Sequence, residues 1–159
     1  MPVAIDQFKT SLSLWASGVS VITYESSEQK GGVTVSSFSS VSLEPPLVLF
    51  CLAKHSKAKT AIESAGKFAV NILSSEQKQI SADFASGSLD KAVVLEGLNP
   101  GKLSTGAPIL QGSLASLDCL VHQIMDAGDH WIFIGLVEAV ATKEGSPLLY
   151  FNRNYREIV

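Results

Sequence analysis

Five hydroxyls crowd one short stretch of this chain: Thr34, Ser36, Ser37, Ser39 and Ser40, within Gly32-Val-Thr-Val-Ser-Ser-Phe-Ser-Ser-Val-Ser-Leu-Glu-Pro-Pro46. Serine is a poor strand former, so such a run in a strand needs a reason. Hydrogen bonding to a phosphate and to the polar edge of a ring would supply one, because each hydroxyl both donates and accepts. Lys57 follows Ser56, a residue type suited to cap a helix. It would set a positive charge beside a helix N-terminus, a natural phosphate seat. A solvated edge strand with a serine-rich turn accounts for the same run without any ligand, and on composition alone it is the simpler account. A second candidate is Gly128-Asp129-His130, a tight turn leading into an apolar strand. Asp129 could bond the turn amides, and His130 would project at the strand's start. A turn histidine with no ligand is the plainer alternative.

Other chemistries are missing. No G-x-G-x-x-G follows a strand, and no G-x-x-x-x-G-K-[ST] occurs. His55, His122 and His130 are far apart in sequence, and no Cys/His spacing resembles a zinc site. There is no G-x-S-x-G elbow for a serine nucleophile. Catalysis here would rely on a cofactor, because the side chains offer little chemistry of their own.

These residues must be held by one domain, expected to span residues 1–159. The chain has 46% hydrophobic and 17% charged residues and a net charge of −3, without a basic stretch. That describes a packed globular domain and argues against binding of nucleic acid backbones. So few charges also hint at surface covered by another chain. MPVAIDQFKT lacks the features of a signal peptide, and the longest apolar run, Leu47 to Ala53, is too short to cross a bilayer. Cys51 and Cys119, each in an apolar segment, read as buried thiols, which fits a reducing cytoplasm.

Periodicity predicts a helix from Ile5 through Leu12 and Trp15, stopped by Gly18. Strands follow at Val19–Tyr24 and across Val33–Phe38, then at Leu47–Leu52, read as buried on both faces. Ser56 would cap a helix running to Ala65, and Phe68–Leu73 would be a strand. Ser74 with Gln77 is a capping-box signature for a helix ending near Ala85. Ser86 to Gly112 reads as irregular. Leu114–Met125 and Trp131–Thr142 form a long hairpin, and Leu148–Phe151 a last strand. Trp15 and Trp131 are expected in the core, and His55 and His122 on the surface or satisfied within a strand. The strand count and the plain hairpin favour an antiparallel barrel, with a parallel α/β sheet ranked second.

The stretch GVTVSSFSSVSLEPPLVLFCLAKHSK resembles the flavin reductase-like family. The resemblance continues through Lys67–Leu73, Glu76-Gln77, Asp83–Ala85, Pro108–Leu110, Ala127–His130 and Pro147–Phe151, in the family's order. It implies a mainly β fold with a few short helices, an antiparallel split β-barrel. It also implies a homodimer with hydride transfer from NADH or NADPH to FMN or FAD, and a partner monooxygenase that consumes the reduced flavin. A flavin-binding redox protein without reductase activity is the alternative.

By the same resemblance, Thr34, Val35, Ser36 and Ser37 meet the flavin's ribityl chain and phosphate. Ser39, Ser40 and Val41 border the ring, the backbone of Cys51, Leu52 and Ala53 faces it, and Ser56 and Lys57 lie at the phosphate end. His130 helps position the nicotinamide as a hydrogen-bond donor, and Tyr150 and Tyr155 border the pocket. The chain departs from the family at Val33 and Ser36, near Lys57-Ala58, and at Ala92, where an aromatic is usual.

Overall fold

The computed structural model describes residues 2–158. Helix α1 (Ile5–Ser13) is followed by β1 (Ser17–Gly18), β2 (Ser20–Glu25), β3 (Lys30–Val35), β4 (Ser39–Ser42) and β5 (Leu47–Ala53). Then come α2 (Ala58–Ala65), β6 (Lys67–Ile72), a short 3-10 turn (Ser75–Gln77), α3 (Lys78–Ala85) and α4 (Lys91–Gly97). The chain ends with β7 (Gly101–Lys102), β8 (Pro108–Ile109), β9 (Ala115–Ala127), β10 (His130–Thr142), β11 (Leu149–Phe151) and β12 (Asn154–Arg156).

Seven strands form the main sheet in the order β3-β2-β6-β9-β10-β5-β4. Every pairing in it is antiparallel, so the parallel α/β alternative is wrong. The strand–helix alternation that suggested it is real, but α2 and α3 pack over the sheet without returning a parallel strand. The sheet curls until the chain just past β3 meets β5, where Ser37 bonds to Cys51.

The core lies inside this curl. Phe50 stacks on Phe133 with centroids 5.0 Å apart and meets Phe68 edge-on at 5.0 Å. Along β5 the buried residues Val48, Phe50 and Leu52 alternate with half-buried ones. That corrects the expectation of burial on both faces: a barrel strand turns one face inward and the other outward. At Gly135 in β10 an added Cβ would collide with the Phe68 ring, so this glycine is required by close packing.

Local signals fared well where they were chemical. One half of the Ser74–Gln77 capping box forms, the backbone N–H of Ser74 donating to Gln77 Oε1 at 3.0 Å, while the backbone amide of Gln77 donates to the Ser74 carbonyl rather than to its hydroxyl. β9 and β10 join through Gly128-Asp129, with Gly128 at φ 66. Three expectations need correction. Helix α1 ends at Ser13 and Gly18 lies in β1, so Gly18 is not its stop. Trp15 is 77% exposed rather than in the core, because α1 buries no residue within this chain. The Ser86–Gly112 segment contains α4, capped by Asp90, whose carboxylate accepts from the Ala92 and Val93 amides. Trp131 packs against the core with the Lys54 and Lys59 ammonium groups over its ring.

Both cysteines are free thiols. Cys119 is fully buried, and burial pushes its thiol up to about 12. A thiol reagent added to the native protein at neutral pH should therefore leave Cys119 unlabelled, with the second thiol appearing only on denaturation. Labelling of both at one rate without denaturant would contradict this packing. Among the described residues no helix is long and apolar enough to cross a membrane.

Candidate functional site

A cleft of about 800 Å³ lies where the end of β3, the end of β5, the start of α2 and the α3–α4 loop converge. The strand ends meet there because the sheet is split beyond Ser37. Thr34, Val35, Ser36 and Ser37 line one side, and Cys51, Leu52 and Ala53 the other. Ser56 and Lys57 lie at the α2 end and His130 at the β10 end. His130 pairs with Ala53 across the β10–β5 ladder, which sets it beside the cleft's β5 wall.

The hydroxyls divide by what they already bond. Thr34 donates to the Ser81 carbonyl at 2.7 Å. Ser37 Oγ accepts from the Cys51 amide at 2.9 Å and donates to the Cys51 carbonyl at 3.2 Å. It thus stands in for a neighbouring strand along β5, two residues beyond β4's last reach at Leu49. Ser56 Oγ accepts from the Ala58 amide at 3.3 Å, while Lys57 itself takes the helix-cap position. Ser36 lines this cleft and both neighbouring hollows. Ser37→Ala should lower the unfolding free energy by about 1–2 kcal/mol, because a half-buried amide and carbonyl lose their partner. Urea denaturation reads this, and Ser39→Ala, at an exposed site, is the control.

Ser39, Ser40 and Val41 lie on edge strand β4 outside the cleft walls, and all three are exposed. Ser39 donates to the Ser40 carbonyl. Tyr150 and Tyr155 meet edge-on, 5.6 Å apart, in a hollow that shares Thr34, Val35 and Ser36 with the cleft. The Tyr155 hydroxyl bonds Ser81 Oγ at 2.7 Å.

His130 Nδ1 lies 2.7 Å from Asp129 Oδ1, which leaves Nε2 as the ring nitrogen available to a ligand. The hydrogen bond from His130, then its charge, holds the Asp129 carboxyl below the usual carboxylate range. A depressed carboxylate pKa adds its full stability above the ordinary value of 3.8, and that stability is lost as pH falls from there through the lowered one. Asp129 is 95% exposed, so the contact orients more than it stabilises.

The cleft also includes residues that are not among the expected site residues. His55 lines it beside Ser56 and Lys57. Asp90 and Lys91 line the opposite wall, and the Lys91 ammonium donates to the Asp83 carbonyl at 2.6 Å and to the Ser86 carbonyl. That caps the C-terminus of α3 with a cation and fixes the loop that closes the wall. Burial pulls the Lys91 pKa down. Asp90 preceding an apolar run was a readable cap signal, whereas the Lys91 contacts exist only once α3 and α4 are docked.

The donor set suits a flavin nucleotide. Lys57 and the start of α2 offer positive charge and amide donors for a phosphate, Ser36 a hydroxyl, and the β5 end a polar backbone edge for a ring.

Residues 12–159 match the family described as flavin reductase like domain. The reductase subunit of a flavin-dependent monooxygenase from Rhodococcus jostii is 40% identical over 158 residues, covering 98% of this chain and 80% of that protein. The reductase component of 4-hydroxyphenylacetate 3-monooxygenase from Thermus thermophilus is 37% identical over 155 residues, 97% of each chain. Among solved structures, the NADH:FAD oxidoreductase of Streptomyces globisporus, in complex with NAD and FAD fragments, superposes at a TM-score of 0.89. It is 30% identical, over 97% of this chain and 92% of that one. With the split sheet and its cleft, these matches identify the chain as a member of the flavin reductase-like family.

Proposed function

We propose that this chain is an NAD(P)H:flavin oxidoreductase that passes a hydride from NADH or NADPH to FMN or FAD and supplies reduced flavin to a partner monooxygenase. The observation that carries this reading is one cleft with Ser56 and Lys57 beside the start of α2 at one end and a histidine at the other. When bound, the flavin itself supplies the hydride-accepting chemistry. Lys57 and the first amides of α2 hold the phosphate, and Ser36 reaches the ribityl chain. The backbone at Cys51–Ala53 meets the ring edge, and Ser37 keeps that strand end in line. His130, oriented through Nδ1 by Asp129, offers Nε2 to the nicotinamide amide. Proximity does most of the work, since two bound rings react as one unit.

The flavin is exchangeable in this reading, because Lys57 is the main cationic anchor at the phosphate end. The protein acts as a cytoplasmic homodimer, with the apolar face of α1, where Ile5, Phe8 and Leu12 are more than half exposed, covered by the second copy. NADH is favoured as donor by the name of the Streptomyces relative. Steady-state oxidation of NADH and of NADPH, each with FMN, FAD or riboflavin as acceptor, tests the reading. Flavin-dependent oxidation is expected, and its best pair names the substrates. A protein that binds flavin but oxidises neither nucleotide would be a binding module instead.

A further inference from the structure

Tyr24, near the end of β2, lines the main cleft together with Gly32, Ala58 and Lys91. It is only 7% exposed, and it belongs to the buried cluster that includes Ala58 and Ala61 of α2. Across the ladder it pairs with Gly31 of β3. A Cβ on Gly31 would lie 3.0 Å from Tyr24 Oη and 3.0 Å from Lys91 Cβ. Glycine there lets the tyrosine cross β3 and carry its hydroxyl to the wall formed by the start of α4.

A tyrosine hydroxyl this deeply buried ordinarily finds a partner. Tyr155 bonds Ser81 Oγ, whereas the Tyr24 hydroxyl has no partner among the described residues. Burial, with no hydrogen bond or charge opposing it, pushes the phenol above its ordinary value of 10.0, so it is a neutral donor at neutral pH. Ser74 and Ser113 also carry unpartnered buried hydroxyls, but neither lines the cleft.

Position along the cleft decides what the hydroxyl meets. Gly31 lies six residues before Ser37, where the wall turns in against Cys51 at the ring end. Ala58, in the same buried cluster as Tyr24, directly follows Lys57. The hydroxyl therefore stands at the Lys57 end, away from the ring.

We infer that Tyr24 is a specificity-determining residue whose hydroxyl donates to the flavin phosphate opposite Lys57, so that the cleft favours phosphorylated flavin over riboflavin. The inference rests on the proposed function, since it needs flavin in this cleft with its phosphate at Lys57. Without ligand the protein carries an unsatisfied donor that destabilises it, and a bound phosphate satisfies that donor.

Tyr24→Phe tests this, because it keeps the ring and removes only the hydroxyl. The Kd for FMN, read by quenching of flavin fluorescence, should rise about tenfold while the Kd for riboflavin holds. The Tm of the flavin-free variant should stay level or rise, the opposite of what loss of a structural hydrogen bond would do. An equal loss with FAD assigns the contact to the phosphate that both nucleotides carry, and a loss with FMN alone assigns it to the terminal monoester. An unmoved FMN affinity, an equal weakening of riboflavin, or a lowered Tm without flavin would overturn the inference. If the parent protein reduces flavin and the variant binds FMN as before, the role of Tyr24 falls and the reductase reading stands. If the parent oxidises neither NADH nor NADPH and the variant still loses FMN alone, the role of Tyr24 stands and the reductase reading falls.

Discussion

Asn71→Ala should cost this protein about 4 kcal/mol of unfolding free energy, far more than the lost volume alone would suggest. Asn71 is fully buried in β6 and uses its whole hydrogen-bonding capacity. Its Nδ2 donates to the Val21 carbonyl at 3.1 Å and to Thr23 Oγ1 at 2.9 Å. Its Oδ1 accepts from the Leu110 amide and from Ser116 Oγ, each at 2.9 Å. One side chain thus ties β2, β6, β9 and the segment after β8 together. Alanine leaves those groups buried without partners, each at a cost of roughly 1 kcal/mol or more. Asn71→Asp keeps the size but turns an oxygen towards the Val21 carbonyl, so it should destabilise comparably. Urea denaturation followed by circular dichroism measures both. A loss below about 1 kcal/mol in the alanine variant would mean that water or rearrangement satisfies the network.

Lys57→Ala should weaken FMN binding about tenfold, as loss of one charge-assisted phosphate contact would. Lys57 is exposed, so the effect should shrink as salt is raised. Riboflavin lacks the phosphate, and its affinity should not move. That contrast separates a lost anchor from a damaged cleft, which would weaken both ligands alike. Lys57→Arg should retain most of the affinity. Quenching of flavin fluorescence on titration reads all of these. An FMN affinity unmoved by Lys57→Ala would transfer the phosphate to another basic side chain of the cleft, His55 or Lys91.

What the sequence disclosed follows from how local each signal is. The Ser74–Gln77 signature, the Gly128-Asp129 turn and the long β9–β10 hairpin are written in neighbouring residues, and the structure has a helical start, a turn and a hairpin at those places. Ser37 is different. From sequence it is one more hydroxyl in a polar run, yet its place is fixed by Cys51 fourteen residues on, where β3's continuation meets β5. Trp15 failed for a related reason: its helix has an apolar face, but nothing within the chain covers it. Helix α4 was hidden by the glycines, serines and prolines around it, although Asp90 announced its start. Of the expected site residues, those on strand ends and at the start of α2 gather at one cleft. Ser39 and Ser40, read with the other hydroxyls, and Val41, placed by resemblance, sit on the neighbouring edge strand.

The central claim is that flavin bound in this cleft takes its hydride from a nicotinamide donor. Anaerobic mixing of the flavin-loaded protein with NADH in a stopped-flow spectrophotometer tests it without any partner enzyme. The account predicts rapid bleaching of the flavin absorbance with matching loss of NADH, slowed in His130→Ala while flavin affinity is kept. Flavin that stays oxidised in the presence of NADH and of NADPH, from protein that demonstrably binds it, would contradict the account.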